Sequence, residues 1–277
     1  MPEVITYSCC SGSSGLQNSP KVFASASKKG WKIVEIVKID RQRNIAGVVF
    51  DFDGTLAELH LDFTAMKRRI GLLYADICNG APDGPPQPAL EWIESLTADL
   101  AARDPFSALA FRARAHALIV DMEIEAAYRG RLFAFTRPIL EQLRAAEVRT
   151  AIITRNCEKA VRIVFPDVDE CCDGFLSRDH VARVKPDPDH LLQALRRIRV
   201  APGAALMVGD HPIDIRTGLL AGVLTAGVFS GNASRAELEQ SGAGWVAQSC
   251  LELMWRLQSA QLIGTRLDLN EDRRQGV

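Results

Sequence analysis

Two acidic residues that follow a short apolar run have the types and the spacing for phosphorus chemistry. Residues 46–50 are apolar and include two valines, and Asp51 and Asp53 come directly after them, with Gly54 permitting a sharp turn. One carboxylate can attack phosphorus as a nucleophile, while a second one held nearby can act as general acid and then as general base. Taken alone, the pair fits a strand-end turn or a helix-capping aspartate equally well.

Two further clusters carry groups that can bind phosphate. Another apolar run ends in Thr154, Arg155 and Asn156, whose hydroxyl, guanidinium and amide groups can donate hydrogen bonds to phosphate oxygens at a helix start. Thr154 would serve equally as an ordinary N-cap. Lys185 lies in a loop stiffened by two prolines, where it is either a charge clamp on a phosphoryl group or a solvent-exposed turn lysine.

A fourth cluster carries ligands for a hard cation. Asp210 and Asp214 follow another apolar run, and carboxylate oxygens are suited to hold Mg²⁺. Without Asp51, the same two residues would be ordinary helix caps. The interpretation as a metal site therefore depends on the fold bringing them to Asp51.

The elements that must position these residues alternate between strand and helix. Apolar, largely β-branched runs predict strands at residues 46–50, 150–153, 204–208 and 224–229. Helical patterns occur at residues 138–145, 158–164, 189–197 and 214–221. This alternation is typical of a doubly wound, Rossmann-like α/β fold with a parallel sheet. Ligands bind outside the carboxyl ends of such strands, so we expect Asp51, Thr154 and Asp210 to converge.

Residues 61–130 interrupt this alternation. Their apolar residues recur at helical spacing in three stripes, and a Pro- and Gly-rich loop at residues 79–88 separates the first stripe from the second. No strand-like run breaks the segment. We predict a small all-helical insertion above the carboxyl edge of the sheet; the alternative is that these helices belong to the main core.

The composition excludes several classes of protein. In 277 residues, 33 Lys and Arg balance 34 Asp and Glu, which argues against nucleic acid or an anionic membrane as a partner. No run approaches the ~18 apolar residues of a membrane-spanning helix. The seven cysteines suit neither a disulfide framework nor a zinc site, so we expect reduced thiols and a cytoplasmic protein. The Ser-rich first thirty residues fit a disordered leader or an organelle-targeting peptide.

In chain order, the motifs DFDGTL, ITRN, KPDP and GDHPID resemble those of the haloacid dehalogenase-like (HAD) hydrolase superfamily. The chain is most similar to the phosphoglycolate-phosphatase-like branch, whose helical cap follows the first motif. Asp51 and Thr154 are 103 positions apart, while only 31 separate Thr154 from Lys185, which leaves little room for a cap at the later site. The resemblance divides the chain into an extension at 1–44 with one added strand at 31–39 or none, a core at 45–57 and 135–258, a cap at 58–134 and a tail at 259–277.

The resemblance also implies a role for each motif residue. Asp51 would attack phosphorus and become an aspartyl phosphate, and Asp53 would protonate the leaving oxygen and later activate water. Thr154 and Lys185 would bind the phosphoryl oxygens, with Asn156 as a helper. Mg²⁺ would be held by the carboxylates of Asp51 and Asp210, by the main-chain carbonyl of Asp53 and, directly or through water, by Asp214. The implied activity is Mg²⁺-dependent hydrolysis of a small phosphorylated metabolite such as phosphoglycolate, by a monomer or a homodimer.

Other readings stay open. A sugar phosphomutase would keep every motif, and a non-catalytic binding protein could retain the fold. Asp53 counts against the dehalogenase and phosphonate-cleaving branches, which replace it. His211 and His60 either contact substrate or are a surface and a linker residue, and the cap arginines are either substrate ligands or solvated: Arg68, Arg69, Arg112 and Arg114.

Overall fold

The computed structural model describes residues 44–78, 80, 82 and 88–263, together with two short strands nearer the N-terminus. The chain divides into two units, Met1–Gln42 and Arg43–Val277. In the first, β1 (Ser25–Ser27) and β2 (Gly30–Lys32) pair antiparallel. Of the added strand predicted at residues 31–39, residues 31 and 32 fall in β2, and the others lie outside the described residues.

The second unit is built on a six-stranded parallel sheet with the order β10-β9-β8-β3-β6-β7. The six strands of the sheet are β3 (Gly47–Phe50), β6 (Arg149–Ile153), β7 (Gly174–Leu176), β8 (Ala205–Gly209), β9 (Leu224–Val228) and β10 (Trp245–Ala247). Strands β4 (Ala57–Glu58) and β5 (Arg131–Leu132) form a separate antiparallel pair. Because β3 lies at the centre, its carboxyl end meets those of both neighbours, and the predicted doubly wound α/β fold is confirmed.

Ten α-helices accompany these strands in the described part of the chain. They are α1 (Phe63–Cys78), α2 (Ala89–Ala101), α3 (Pro105–Ala127), α4 (Thr136–Ala145), α5 (Glu158–Val164), α6 (Val168–Cys171), α7 (Pro188–Ile198), α8 (Pro212–Leu220), α9 (Arg235–Gln240) and α10 (Cys250–Ser259). Among the described residues, no helix has both the length and the apolar character that crossing a bilayer requires.

The sheet buries both of its faces, as its uniformly apolar central strands require. Successive side chains of β3 point to opposite sides: Val48 and Phe50 pack in the cluster that includes side chains of α4 and α10, whereas Val49 packs in the cluster that includes α7. The residue after Phe50 is therefore held at the end of a strand that is fixed on both faces. This rigidity is what a reactive side chain at that place needs.

Helices α1, α2 and α3 come from the segment that the sequence predicts to be a cap, and these three helices are called the cap. They bury a hydrophobic cluster of their own, which includes Ile70, Ile93 and Phe111. The two chain segments that join this cap to the core pair as β4 and β5, with Ala57 opposite Leu132. Because both connections run side by side, the chain passes between core and cap through one narrow ribbon, and α3 also packs against α5.

The structure differs from the prediction at both edges of the sheet and at the end of the core. Strands β7 and β10 were not predicted, because three residues each are too few to show a strand pattern. The tail predicted from residue 259 starts too early: Leu262 and Ile263 are buried in the main core, and the Ile45 amide donates to the Leu262 carbonyl oxygen at 2.8 Å.

Candidate active site

Asp51 begins the site, because the central strand ends directly in front of it. Its amide donates to the carbonyl oxygen of Val208 at 2.8 Å, which continues the pairing of β3 with β8. The turn that follows requires Gly54: its φ is +75°, and a Cβ there would lie 2.4 Å from Oδ2 of Asp210. Gly231 approaches the same carboxylate from another loop, since a Cβ there would lie 1.9 Å from it. Two glycines thus let the backbone close tightly around Asp210.

Three buried carboxylates meet at this edge of the sheet. Asp51, Asp210 and Asp214 each offer an oxygen, and these atoms all lie within 4.8 Å of one another. Burial, together with the nearby charges of Asp51 and Asp214, raises the pKa of Asp210 to about 8. A cluster of buried oxygen ligands whose negative charges repel one another fits a hard divalent cation. The side chain of Asp53 is outside this trio.

Lys185 is the cation that the chain itself supplies to these carboxylates. Its buried Nζ lies 2.5 Å from Oδ1 of Asp51 and 2.7 Å from Oδ1 of Asp214. Burial alone would lower the pKa of Lys185, but the two carboxylates outweigh it and raise the pKa. Burial also raises the pKa of Asp51, to about 6, against the effect of Lys185. Of the two alternatives that the sequence allowed for Lys185, the solvent-exposed turn lysine is therefore wrong.

Asp53 has the environment of a proton donor and acceptor. Its Oδ1 accepts a hydrogen bond from the Leu59 amide at 3.2 Å. Burial, and next the charge of Asp51, raise the pKa of Asp53 to about 7. A carboxyl group with a pKa near neutrality can give up a proton in one step and take one in the next.

Thr154 and Asn156 lie at the end of β6, beside the acidic residues. The Thr154 amide donates to the Leu176 carbonyl oxygen at 3.1 Å, and Oγ1 of Thr154 accepts from the Asn156 amide at 3.1 Å. The threonine therefore organises the turn and also lines the cavity described below. Its hydroxyl hydrogen is available to donate to a ligand, because the bond to Asn156 uses only the oxygen.

Arg155 connects the core to the cap. Its guanidinium forms a paired contact with Glu91 of α2, with N–O distances of 2.7 and 2.6 Å, and Nη1 also donates to the main-chain carbonyl of Lys185. Burial would raise the pKa of Glu91, but Arg155 outweighs it and lowers the pKa. The arginine thus links a cap helix to the loop that carries the buried lysine.

A second ion pair between cap and core was missed from the sequence. Arg178 pairs with the buried Glu123 of α3, and the Glu123 carboxylate also accepts from the Cys157 amide at 3.0 Å. A signal for Glu123 was available, because it lies four residues after Ile119 on the buried side of its helix. Glu91 had no such signal, since an acid in the first turn of a helix is ordinarily accounted for by the helix dipole.

His190 holds the Lys185 loop and makes folding depend on pH. The Lys185 amide donates to Nδ1 at 3.4 Å, and Nε2 is 3.1 Å from the Leu176 carbonyl oxygen. Burial, and next Lys185, lower the pKa of His190 from 6.5 to about 4. The unfolded chain therefore takes up the proton first as pH falls from about 6.5 to about 4, and the native state loses about 3 kcal/mol of stability over that window.

We expect His190→Gln to remove this loss. The difference in free energy of unfolding between variant and wild type, measured with urea at several pH values, should shift in favour of the variant as pH falls. The exposed His60, 3.7 Å from Glu58, provides the matched control in His60→Gln. A difference that stays constant from pH 7 to pH 4.5 would contradict the assignment.

A cavity of about 370 Å³ joins these groups beneath the cap. The core side of its wall includes all of the predicted catalytic, phosphate-binding and metal-binding residues: Asp51, Asp53, Thr154, Asn156, Lys185, Asp210 and Asp214. His211 also lines it, while its Nδ1 accepts from the Ile213 amide at 3.1 Å and so caps α8. The four cap arginines considered as ligands are exposed and are not part of this wall.

The comparisons with known proteins agree with this geometry. Residues 45–222 match the haloacid dehalogenase-like hydrolase family. The chain belongs to this family. A haloacid dehalogenase-like hydrolase domain-containing protein of Arabidopsis thaliana is 30% identical over 184 residues, which cover 65% of this chain and 69% of the relative.

Two further proteins are similar to this HAD-like chain over more of its length, one in sequence and one in fold. The N-acetylmuramic acid 6-phosphate phosphatase of Pseudomonas putida is 27% identical over 230 residues, 78% of this chain and 97% of its own. The solved structure of a Haemophilus somnus protein, predicted to be a phosphoglycolate phosphatase, superposes with a TM-score of 0.54 at 18% identity, covering 77% of this chain and 98% of its own. The family match makes this HAD-like chain a hydrolase.

Proposed function

We propose that the protein hydrolyses a small phosphomonoester, with Mg²⁺ as cofactor and Asp51 as nucleophile. The observation that carries the proposal is the convergence of Asp51, Asp53, Lys185 and the acidic trio in one cavity of about 370 Å³. A carboxylate that attacks a phosphate dianion needs nearby positive charge, since the two anions would otherwise repel. Lys185 supplies one such charge, and the carboxylate cluster fits a cation that would supply the other.

In the first half of the reaction, an Asp51 oxygen forms a bond to phosphorus while the bond from phosphorus to the ester oxygen breaks. Asp53 gives its proton to that oxygen, and the alcohol leaves. In the second half, Asp53 takes a proton from water, whose oxygen bonds to phosphorus as the bond to Asp51 breaks. Inorganic phosphate and the free carboxylate result. The raised pKa of Asp53, at about 7, suits both proton transfers.

The other residues of the site bind and orient the phosphoryl group. Lys185, the Thr154 hydroxyl and the Asn156 amide lie on the cavity wall where they can donate hydrogen bonds to its oxygens. Asp51, Asp210, Asp214 and the main-chain carbonyl of Asp53 would hold Mg²⁺. When bound, the ion supplies positive charge that offsets the carboxylates and the phosphate.

The substrate proposal is a small organic phosphate, with phosphoglycolate as the first candidate. A cavity of about 370 Å³ beneath a cap has room for a small metabolite and is too small for a segment of a macromolecule. Release of inorganic phosphate from a panel of phosphorylated metabolites, measured with Mg²⁺, tests the proposal. Conversion of one sugar phosphate into its isomer without phosphate release would replace it with a mutase.

We expect chelation to stop turnover reversibly. Excess EDTA should bring phosphate release down to the uncatalysed background, because Lys185 alone cannot offset three carboxylates and a phosphate dianion. Added Mg²⁺ in excess over the chelator should restore the rate. EDTA already saturated with Mg²⁺ is the control for effects of the chelator itself, and full activity in free EDTA would contradict a metal-dependent reaction.

A further inference from the structure

The cap side of the cavity wall is largely apolar and carries two charged groups, the carboxylate of Glu123, which is paired with Arg178, and the ammonium group of Lys67. Its apolar members come mainly from the start of α1 and from α2 and α3: Leu61, Phe63, Met66, Leu90 and Ile119. Lys67, on α1, is the only lysine of the predicted cap and also lines the cavity. The cap side of the cavity therefore presents hydrocarbon, a carboxylate that already has a partner and one ammonium group.

Lys67 differs from the other cations of this wall in having no partner. Arg155 is paired with Glu91, and Lys185 is paired with Asp51 and Asp214. Among the residues that the structure describes, no carboxylate lies within ion-pairing distance of Lys67, and no hydrogen bond engages it. A partly buried ammonium group beside apolar side chains gains free energy when an anion enters to pair with it.

A phosphate bound at Asp51 is matched by positive groups other than Lys67. The phosphate is matched by Lys185 and by the proposed metal ion at the core side, while Lys67 comes from the cap. A substrate small enough for the cavity extends from the phosphate toward the cap. What Lys67 would meet is the group at the other end of that substrate.

Building on the proposed function, we propose that Lys67 recognises a second anionic group of the substrate, and that the enzyme therefore prefers phosphomonoesters that also carry a carboxylate or a second phosphate. A neutral group at that end would leave the ammonium unpaired against an apolar wall. One charged hydrogen bond from Lys67 should raise the affinity for such a substrate by about 10- to 100-fold.

Matched substrates test this inference. 3-Phosphoglycerate and glycerol 3-phosphate differ mainly by a carboxylate in place of a hydroxymethyl group, so their kcat/KM ratio reports the second anion directly. We expect wild type to prefer the acid by about 10-fold or more, and Lys67→Met to lose that preference by slowing the acid alone. Lys67→Arg should retain it. A bisphosphate tested beside them distinguishes a second phosphate from a carboxylate.

Arg68→Met is the matched control, because Arg68 is the next residue of α1, is exposed and does not line the cavity. It should leave the ratio unchanged. A kcat/KM ratio in Lys67→Met that equals the wild-type ratio, whether or not both substrates are slowed, would overturn the inference. Binding of both ligands to Asp51→Asn, with and without Lys67→Met, by calorimetry decides the matter independently of turnover, so that a failure of the proposed hydrolysis is recognised as such.

Discussion

Asp51→Asn is expected to reduce phosphate release by about 10⁴-fold or more, because the amide cannot take the place of the nucleophilic carboxylate. The substitution keeps the shape of the side chain, and its carbonyl oxygen can still accept the hydrogen bond from Lys185 Nζ. It also removes one charge from a cluster in which burial already raises the pKa of Asp51 to about 6. We therefore expect a folded variant, and the measurement is phosphate release together with thermal unfolding followed by circular dichroism.

Asp76→Asn provides the control for this change. Asp76 is an exposed acid on α1 and is not part of the cavity wall, so the same chemical substitution there should leave turnover within about two-fold of wild type. Substantial turnover in folded Asp51→Asn would remove the proposed nucleophile. Loss of the folded state in that variant would instead show that the carboxylate is needed for stability.

The strands that carry the site could be predicted from the sequence because each is a buried apolar run that ends in polar residues. Parallel pairing then brings those ends together: Phe50 lies opposite Ile152 of β6 and Val208 of β8, so Asp51 must come close to residues that follow both strands. This step needs only the fold class. It explains why Asp51 and Asp210, far apart in sequence, were expected in one site.

The contacts between cap and core could not be predicted in the same way. Arg155 and Glu91 are 64 positions apart, and Arg178 and Glu123 are 55 apart. No local pattern specifies which carboxylate a guanidinium meets, because the docking of the cap decides it. For the same reason the sequence indicated only that Arg155 can donate to phosphate, and not that it pairs with Glu91.

These two ion pairs have a structural consequence for the proposed reaction. Arg155 contacts both Glu91 of the cap and the carbonyl oxygen of Lys185, so the position of the cap and that of the buried lysine are linked through one side chain. The cap also reaches the core through the narrow ribbon of β4 and β5 and through apolar side chains of α3 that pack with those of α5. The arrangement of Lys185 is therefore a property of the assembled core and cap together.

Lys185→Met is expected to impair both catalysis and folding. The methionine fills a similar volume but carries no charge, so the Asp51 and Asp214 carboxylates lose the cation that lies 2.5 and 2.7 Å from them. Removing one partner of a buried ion pair costs about 3–5 kcal/mol, because the remaining charge stays buried and uncompensated. Loss of a preorganised donor to the phosphoryl group should lower kcat by about 10²- to 10³-fold.

The two effects can be measured separately. Urea unfolding in EDTA gives the loss of stability, and adding Mg²⁺ should restore more of it in Lys185→Met than in wild type, since a divalent cation offsets the same carboxylates. Lys159→Met, which removes an exposed lysine of α5, is the control and should change neither quantity appreciably. If Lys185→Met unfolded at the same urea concentration as wild type and kept its kcat, the buried lysine could be neither the counter-charge of the acidic cluster nor a ligand of the phosphoryl group.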